Sequence, residues 1–169
     1  MPPDDAAAFV QFSLRLFSRD GVAPLCISLQ DRHGLNVNCL LLAAWAAHLG
    51  YAIDSGLWRE LQALTDPIRR GAVEPIRAVR RQVSSAPRLS DDLRAPLKRL
   101  LLYAEVRAEQ AEERALHQHM VSRAPRHQPG PSLLADNLTA YAGGLPDLAR
   151  FATLVVESRL LEQPPCPSA

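Results

Sequence analysis

Lysine is almost absent from this chain: Lys98 is its single lysine, and the other basic residues are arginines. On a solvated face the two are interchangeable, so the bias is read first as compositional and only second as bidentate anion recognition. The formal net charge is +1, which excludes an overall field that would recruit nucleic acid or an anionic membrane. Aromatic residues make up 5%, so a core must be built from Leu, Ala and Val. Glycine is sparse and runs of β-branched residues are missing, which removes the strand signal, while Leu and Ala dominate every periodic segment. Cysteine is also scarce. Cys26, Cys39 and Cys166 are odd in number and lack Cys-x-x-Cys spacing, so neither a disulfide framework nor a zinc site is expected. Cys26 and Cys39 lie in apolar segments and are expected to be buried small hydrophobes.

Other absences bound the function. The first residues, MPPDDAAAFVQ, lack a basic stretch followed by an apolar run, so no signal peptide is expected and cytoplasmic residence follows by default. The longest apolar run is far shorter than the ~20 residues that span a bilayer. There is no P-loop, Gly-x-Gly-x-x-Gly or Gly-x-Ser-x-Gly. His117 and His119 are spaced i, i+2, so on a helix they point to different sides and cannot share a metal; solvated histidines are expected. Asp91-Asp92 resembles a paired-carboxylate motif, but helix N-terminal capping accounts for both. No metal or cofactor is expected.

What is present is organised around residues 25–50, LCISLQDRHGLNVNCLLLAAWAAHLG. From Cys39 to Ala47 there is no polar side chain. A helix that is apolar all round is buried on all sides. Asn36 is a favoured N-cap and Gly50 a favoured left-handed C-terminal residue, so a central helix is expected from about Val37 to Leu49. Just before it stand Gln30, Asp31, Arg32, His33 and Asn36, and Asn38 falls in its first turn. The preferred reading is a polar corner between two helices, with Asp31 accepting bonds from the N-terminus of the central helix or from Asn38. The alternative is a ligand pocket in which Gln30, Asp31, Asn36 and Asn38 converge beside an apolar wall that includes Trp45.

Along the chain, Asp4 or Asp5 can cap a first helix that reaches Phe17. Pro24 suits the first turn of a second. Ser55 is the expected cap of a helix carrying Leu57, Trp58, Leu61 and Leu64. Asp66-Pro67 is expected to start a new one, kinked at Pro75, with an apolar stripe and, opposite it, Arg69, Arg70, Arg77, Arg80 and Arg81. Ser90 caps the longest helix, expected to run to about Ser122. Its predicted buried face holds Leu93, Leu97, Leu100, Leu101, Ala104, Ala108, Ala111 and Ala115, and it also carries Glu105, Glu109, Glu112 and Glu113. A Pro-rich loop over 122–131, expected to be mobile, precedes two more helices, the first capped by Ser132 and the second opened by Pro146-Asp147. Residues 163–169 form a predicted disordered Pro-rich tail.

The segment LQDRHGLNVNCLLLAAWAAHLG resembles the signature of an uncharacterised bacterial family of short all-helical proteins. The residues that carry the likeness are Leu29, Gln30, Asp31, Gly34, Val37, Asn38, Leu40, Leu41 and Trp45, with Gly21-Val22 upstream. Pro75-Ile76-Arg77, Arg80-Arg81 and the helix bearing Glu105, Glu109 and Glu112 resemble it downstream. The likeness covers roughly residues 6–120. It implies an all-helical fold and no mechanism. One departure stands out: the residue before Val37 is often Asp in that family and is Asn36 here.

These observations predict one all-α domain over residues 4–162, a bundle of about seven or eight helices around the central one. The preferred function is a non-enzymatic, cytoplasmic interaction or accessory protein whose partner is another protein. A first alternative is association with RNA or DNA through Arg77, Arg80 and Arg81. Glu105, Glu109 and Glu112 are the expected intramolecular partners of those arginines. A second alternative is small-molecule binding or catalysis at the polar corner.

Overall fold

Helix α3, Val37–Leu49, is the centre of the molecule: every residue from Cys39 to His48 is buried. In the computed structural model, which describes residues 6–162, the chain is all-α, 82% helical. The expected caps at Asp4 or Asp5, Cys166 and the tail 163–169 lie outside the described residues.

The elements follow in order as α1 (Ala6–Phe17), α2 (Val22–His33), α3, α4 (Ser55–Ile68), a π-helical turn (Arg69–Val73), α5 (Glu74–Ser85), α6 (Asp91–Arg123), α7 (Pro131–Ala142), α8 (Pro146–Glu157) and a 3-10 turn (Leu160–Glu162). α4, the π turn and α5 follow one another without a gap, so the described residues form seven helical rods, or eight α-helices if that rod is divided at the π turn.

Both expected caps of α3 form. The Asn36 side chain accepts from the Asn38 backbone N–H, and Gly50 takes the left-handed conformation at φ 81°. Gly50 is required twice over: a Cβ there would also meet the His127 carbonyl oxygen at 2.5 Å. Around α3 pack α1, α2, α6, α7 and the 3-10 turn. Cys26 and Cys39 are buried free thiols, both pushed up to about 12 by burial.

Several local expectations are corrected. The cap of α4 is Asp54, whose carboxylate accepts from Leu57 N, not Ser55. No helix begins at Asp66-Pro67; Pro67 is absorbed inside α4, and the irregularity falls between the two prolines. Pro75 has no N–H to offer the preceding turn. The chain widens there to the π register, in which Glu74 N donates to Arg69 O. Pro131 opens α7 after Gly130 instead of Ser132 capping it. The Pro-rich segment 124–130 is tied to the end of α3. His127 N donates to Gly50 O (2.7 Å), Gly130 N to Ala47 O (3.2 Å) and Ala52 N to Pro125 O (3.0 Å). The Arg126 guanidinium sits 3.8 Å over the Tyr51 ring. Buried Asn137 joins this end to α4: it accepts from Ile53 N, donates to Tyr51 O and receives Trp58 Nε1–H on its carbonyl.

The largest correction concerns α6. Its expected buried face is not buried: Leu93, Leu97 and Leu100 are 55%, 39% and 67% exposed. Ala111 is exposed, and Leu101, Ala104, Ala108 and Ala115 are only half-buried. α5 has no buried residue, and the first buried residue of α6 is Glu105. The hairpin of α5 and the first half of α6 is an arm with no helix of the described residues over its outer surface. His117, expected in solvent, is 1% exposed and stacks on Phe9 at a centroid distance of 6.2 Å. His119 is the outer one, 3.2 Å from the Glu60 carboxylate.

Candidate functional site

An open groove of about 740 Å³ lies between α1, α2, the start of α3, the π turn with α5, and α6. On α6 its base is a ladder of carboxylates at 105, 109 and 112, spaced i, i+4, i+7, which places them on one face of the helix. Glu113 stands beside them. The arginines of α5 run antiparallel to this ladder. Arg77 reaches Glu105 (2.8 Å) and Glu109 (2.6 Å), and Arg80, three residues further on, reaches back to Glu105 alone.

The four carboxyls have different fates. Burial works to raise the pKa of Glu105, but the Arg80 and Arg77 guanidiniums outweigh it and hold the carboxyl below its ordinary range. Glu109 is raised by burial, assisted by the like charges of Glu105 and Glu112 and opposed by Arg77. Glu112, 1% exposed, is raised by burial and opposed by two amides: Asn36 Nδ2 donates to one oxygen and Asn38 Nδ2 to the other at 2.9 Å. Glu113, 6% exposed, is pushed up to about 7, chiefly by burial and further by Glu109 and Glu112. The nearby Ser13 hydroxyl lowers it in part. Among the described residues no arginine, lysine or histidine forms an ion pair with Glu113.

The sequence-derived candidates divide. Gln30, Asp31, Asn36 and Asn38 all line the groove. Gln30 Oε1 accepts from Arg77 Nη1 at 3.3 Å. Asn36 is fully engaged: its N–H donates to the Tyr141 hydroxyl, its Oδ1 caps α3 and its amide binds Glu112. Asp31 does not take the role proposed for it. It is exposed, and the carboxylate that meets Asn36 and Asn38 is Glu112. Trp45 is not part of the groove wall; it packs with Phe9, Phe12, His48 and His117 on another side of α3. Arg81 lines the groove and is exposed, while Arg77 and Arg80 are committed to carboxylates. Of the expected acidic partners, Glu105 and Glu109 bind arginine and Glu112 binds asparagine.

Glu113, expected from the sequence only as one more possible partner of the arginines, pairs with none of them, and Ser13 and the apolar rim Leu14, Ile27 and Val106 carried no signal in the sequence. For Glu113 the signal was slight: a tandem Glu112-Glu113 in an alanine-rich helix, where one residue of rotation decides whether a carboxylate faces the start of α3 or α1. Among the described residues no group of three or more His, Cys, Asp or Glu is arranged to hold a metal ion, and no helix is long and apolar enough to cross a membrane.

Residues 8–116 match the model of a family described as a protein of unknown function, DUF2390. The chain belongs to this family. The matched segment contains every residue that lines the groove, from Val10 to Glu113, whereas α7 and α8 lie beyond it. The family resemblance seen in the sequence and the matched model therefore cover nearly the same stretch. No curated protein and no solved structure matches the chain.

Proposed function

We propose that this protein is a non-enzymatic binding protein whose groove receives a basic, partly apolar segment of another protein. The observation that carries the reading is Glu113: a carboxyl buried in the wall of an open groove and given no cation by the described residues. A buried carboxyl without a cation is held neutral by desolvation, and an incoming ammonium or guanidinium reverses that. The rim supports a polypeptide occupant. Leu14, Ile27 and Val106 line the groove while 57%, 49% and 37% exposed. A helix that lays apolar side chains on such a rim and directs one basic residue inward uses the helix-in-groove mode of recognition.

The arginines support this reading over association with nucleic acid. Two of the three candidate residues, Arg77 and Arg80, already neutralise Glu105 and Glu109, and phosphate would have to displace those carboxylates. Asn36 and Asn38 serve the same site by holding Glu112 in place, which is the work of a rigid binding surface. The cytoplasmic location expected from the sequence is kept with this reading.

Fluorescence anisotropy with a short labelled Leu/Lys amphipathic peptide, against a Leu/Glu peptide of the same pattern, tests the proposal. The Lys peptide is expected to bind, more tightly above pH 7 than below because Glu113 is then ionised, and Glu113→Gln is expected to abolish that pH dependence. Equal binding of both peptides, or binding indifferent to Glu113→Gln and Leu14→Glu, would refute it. Saturable, Glu113-dependent binding of a simple alkylamine with none of the peptide would make the occupant a small amine.

A further inference from the structure

The exposed stripe of α6 poses a separate question. Leu93, Leu97, Leu100, Ala104, Ala108 and Ala111 recur at helical intervals on one side of the helix. None of the six is buried. The stripe also has a direction, with three leucines in its first half and three alanines in its second. Two such stripes laid parallel would set leucine on leucine at one end and leave alanine facing alanine across a gap at the other. Laid antiparallel about a two-fold axis, Leu93 meets Ala111, Leu97 meets Ala108 and Leu100 meets Ala104, so each large side chain faces a small one. A two-fold contact requires a patch that complements itself, and this one does.

The flanking charges agree with that register. Asp92 precedes Leu93 by one residue and Arg114 follows Ala111 by three, which places both on the same flank of the stripe. Residues on the same flank of two antiparallel helices face each other, so Arg114 of one chain stands opposite Asp92 of the other, twice by symmetry. Both are exposed. Arg107, also near this flank, is held at 3.0 Å by Gln110 of its own helix.

We infer that the occupant of this stripe is a second copy of the chain, with the two α6 helices packed antiparallel through alternating leucine and alanine. The residues that α6 gives to the groove are Glu105, Val106, Glu109, Gln110, Glu112 and Glu113, none of which belongs to the stripe. The dimer therefore leaves the groove open, and the inference is independent of the function proposed for it.

Light scattering coupled to size exclusion, on the full chain over a range of concentrations, is the test. The expected mass is twice the 18.6 kDa of the chain at high concentration, falling toward the monomer on dilution. Leu100→Glu should give monomer at every concentration with an unchanged helical circular dichroism spectrum, because Leu100 is 67% exposed and packs little within the chain. Ala104→Leu separates specific packing from general stickiness: it should weaken the dimer by filling the space for Leu100, and a stronger dimer would overturn the close-packed register. Asp92→Arg and Arg114→Asp should each weaken association and together restore it. A monomer at all concentrations, a dimer indifferent to Leu100→Glu, or a double charge exchange that restores nothing would overturn the inference.

Discussion

Helix α3 and the first half of α6 are both rich in leucine and alanine, yet their surroundings are opposite. α3 is buried from Cys39 to His48, whereas residues 91–104 of α6 contain no buried side chain. α3 carries no Asp, Glu, Lys or Arg, whereas residues 91–104 also carry Asp91, Asp92, Arg94, Lys98 and Arg99; the number of neighbours differs with them. α3 is enclosed by α1, α2, α6, α7 and the 3-10 turn. The arm has α5 against one side of α6 and open space elsewhere. Its two helices are joined at the inner end by the Arg77–Glu105–Arg80 pairs. An apolar stripe therefore reports that a face wants cover, not which molecule supplies it.

Substitutions can break this contrast at several strengths. Trp45→Ala, in the aromatic cluster on α3, should cost about 3–5 kcal/mol in chemical denaturation, the range for truncating a large buried aromatic. Leu102→Ala on the arm, at 50% exposure, should cost about 0.5 kcal/mol or less. Comparable losses at the two sites would erase the distinction between core and arm.

Glu112 joins the two regions, since it belongs to α6 but serves the N-terminus of α3. Glu112→Ala removes the acceptor for both Asn36 and Asn38, and should destabilise by about 1–3 kcal/mol through the amides left unpaired. Asn36→Asp is the sharper variant. It keeps an N-cap acceptor for Asn38 N but replaces the donor to Glu112 with a second carboxylate, so its loss of stability should be greater at neutral pH than in mild acid. A fully stable Asn36→Asp protein would show that the cap, not the Glu112 contact, holds the corner.

Glu113 makes stability depend on pH. Its folded pKa of about 7 lies above the ordinary 4.5. The folded protein therefore retains a proton that the unfolded chain releases between those values. Its contribution is fully present below 4.5 and is lost as pH rises through about 7. Glu109 and Glu112, also raised, act in the same sense. Melting temperatures of wild type and Glu113→Gln should diverge as pH rises across this window, the variant being the less sensitive. Parallel curves would remove Glu113 from the account. The smallest effect is expected at Asp31: exposed and apart from the Glu112 contact, it should tolerate Ala or Asn within about 0.5 kcal/mol.

Fold class, the place of the central helix and its two ends follow from local pattern along the chain. An all-round apolar run between Asn36 and Gly50 is a local pattern, and its two caps act within a few residues of the chain. A short connector and two oppositely charged faces also made glutamates of α6 the expected partners of the α5 arginines, without deciding between that pairing and exposure; Arg77 and Arg80 meet Glu105 and Glu109, and Glu112 goes to the asparagines. Tertiary structure alone decided the rest. Asp31 was the expected carboxylate at the start of α3 and Glu112 an expected partner of arginine, but packing turned Glu112 toward Asn36 and Asn38 and left Asp31 in solvent. Trp45 and Asn38 lie in one helix, but which of them faced the groove depended on where α1 and α6 came to rest. The arm is the clearest case: periodicity marks a face that is apolar, and only the position of every other helix shows that nothing in the described chain covers it.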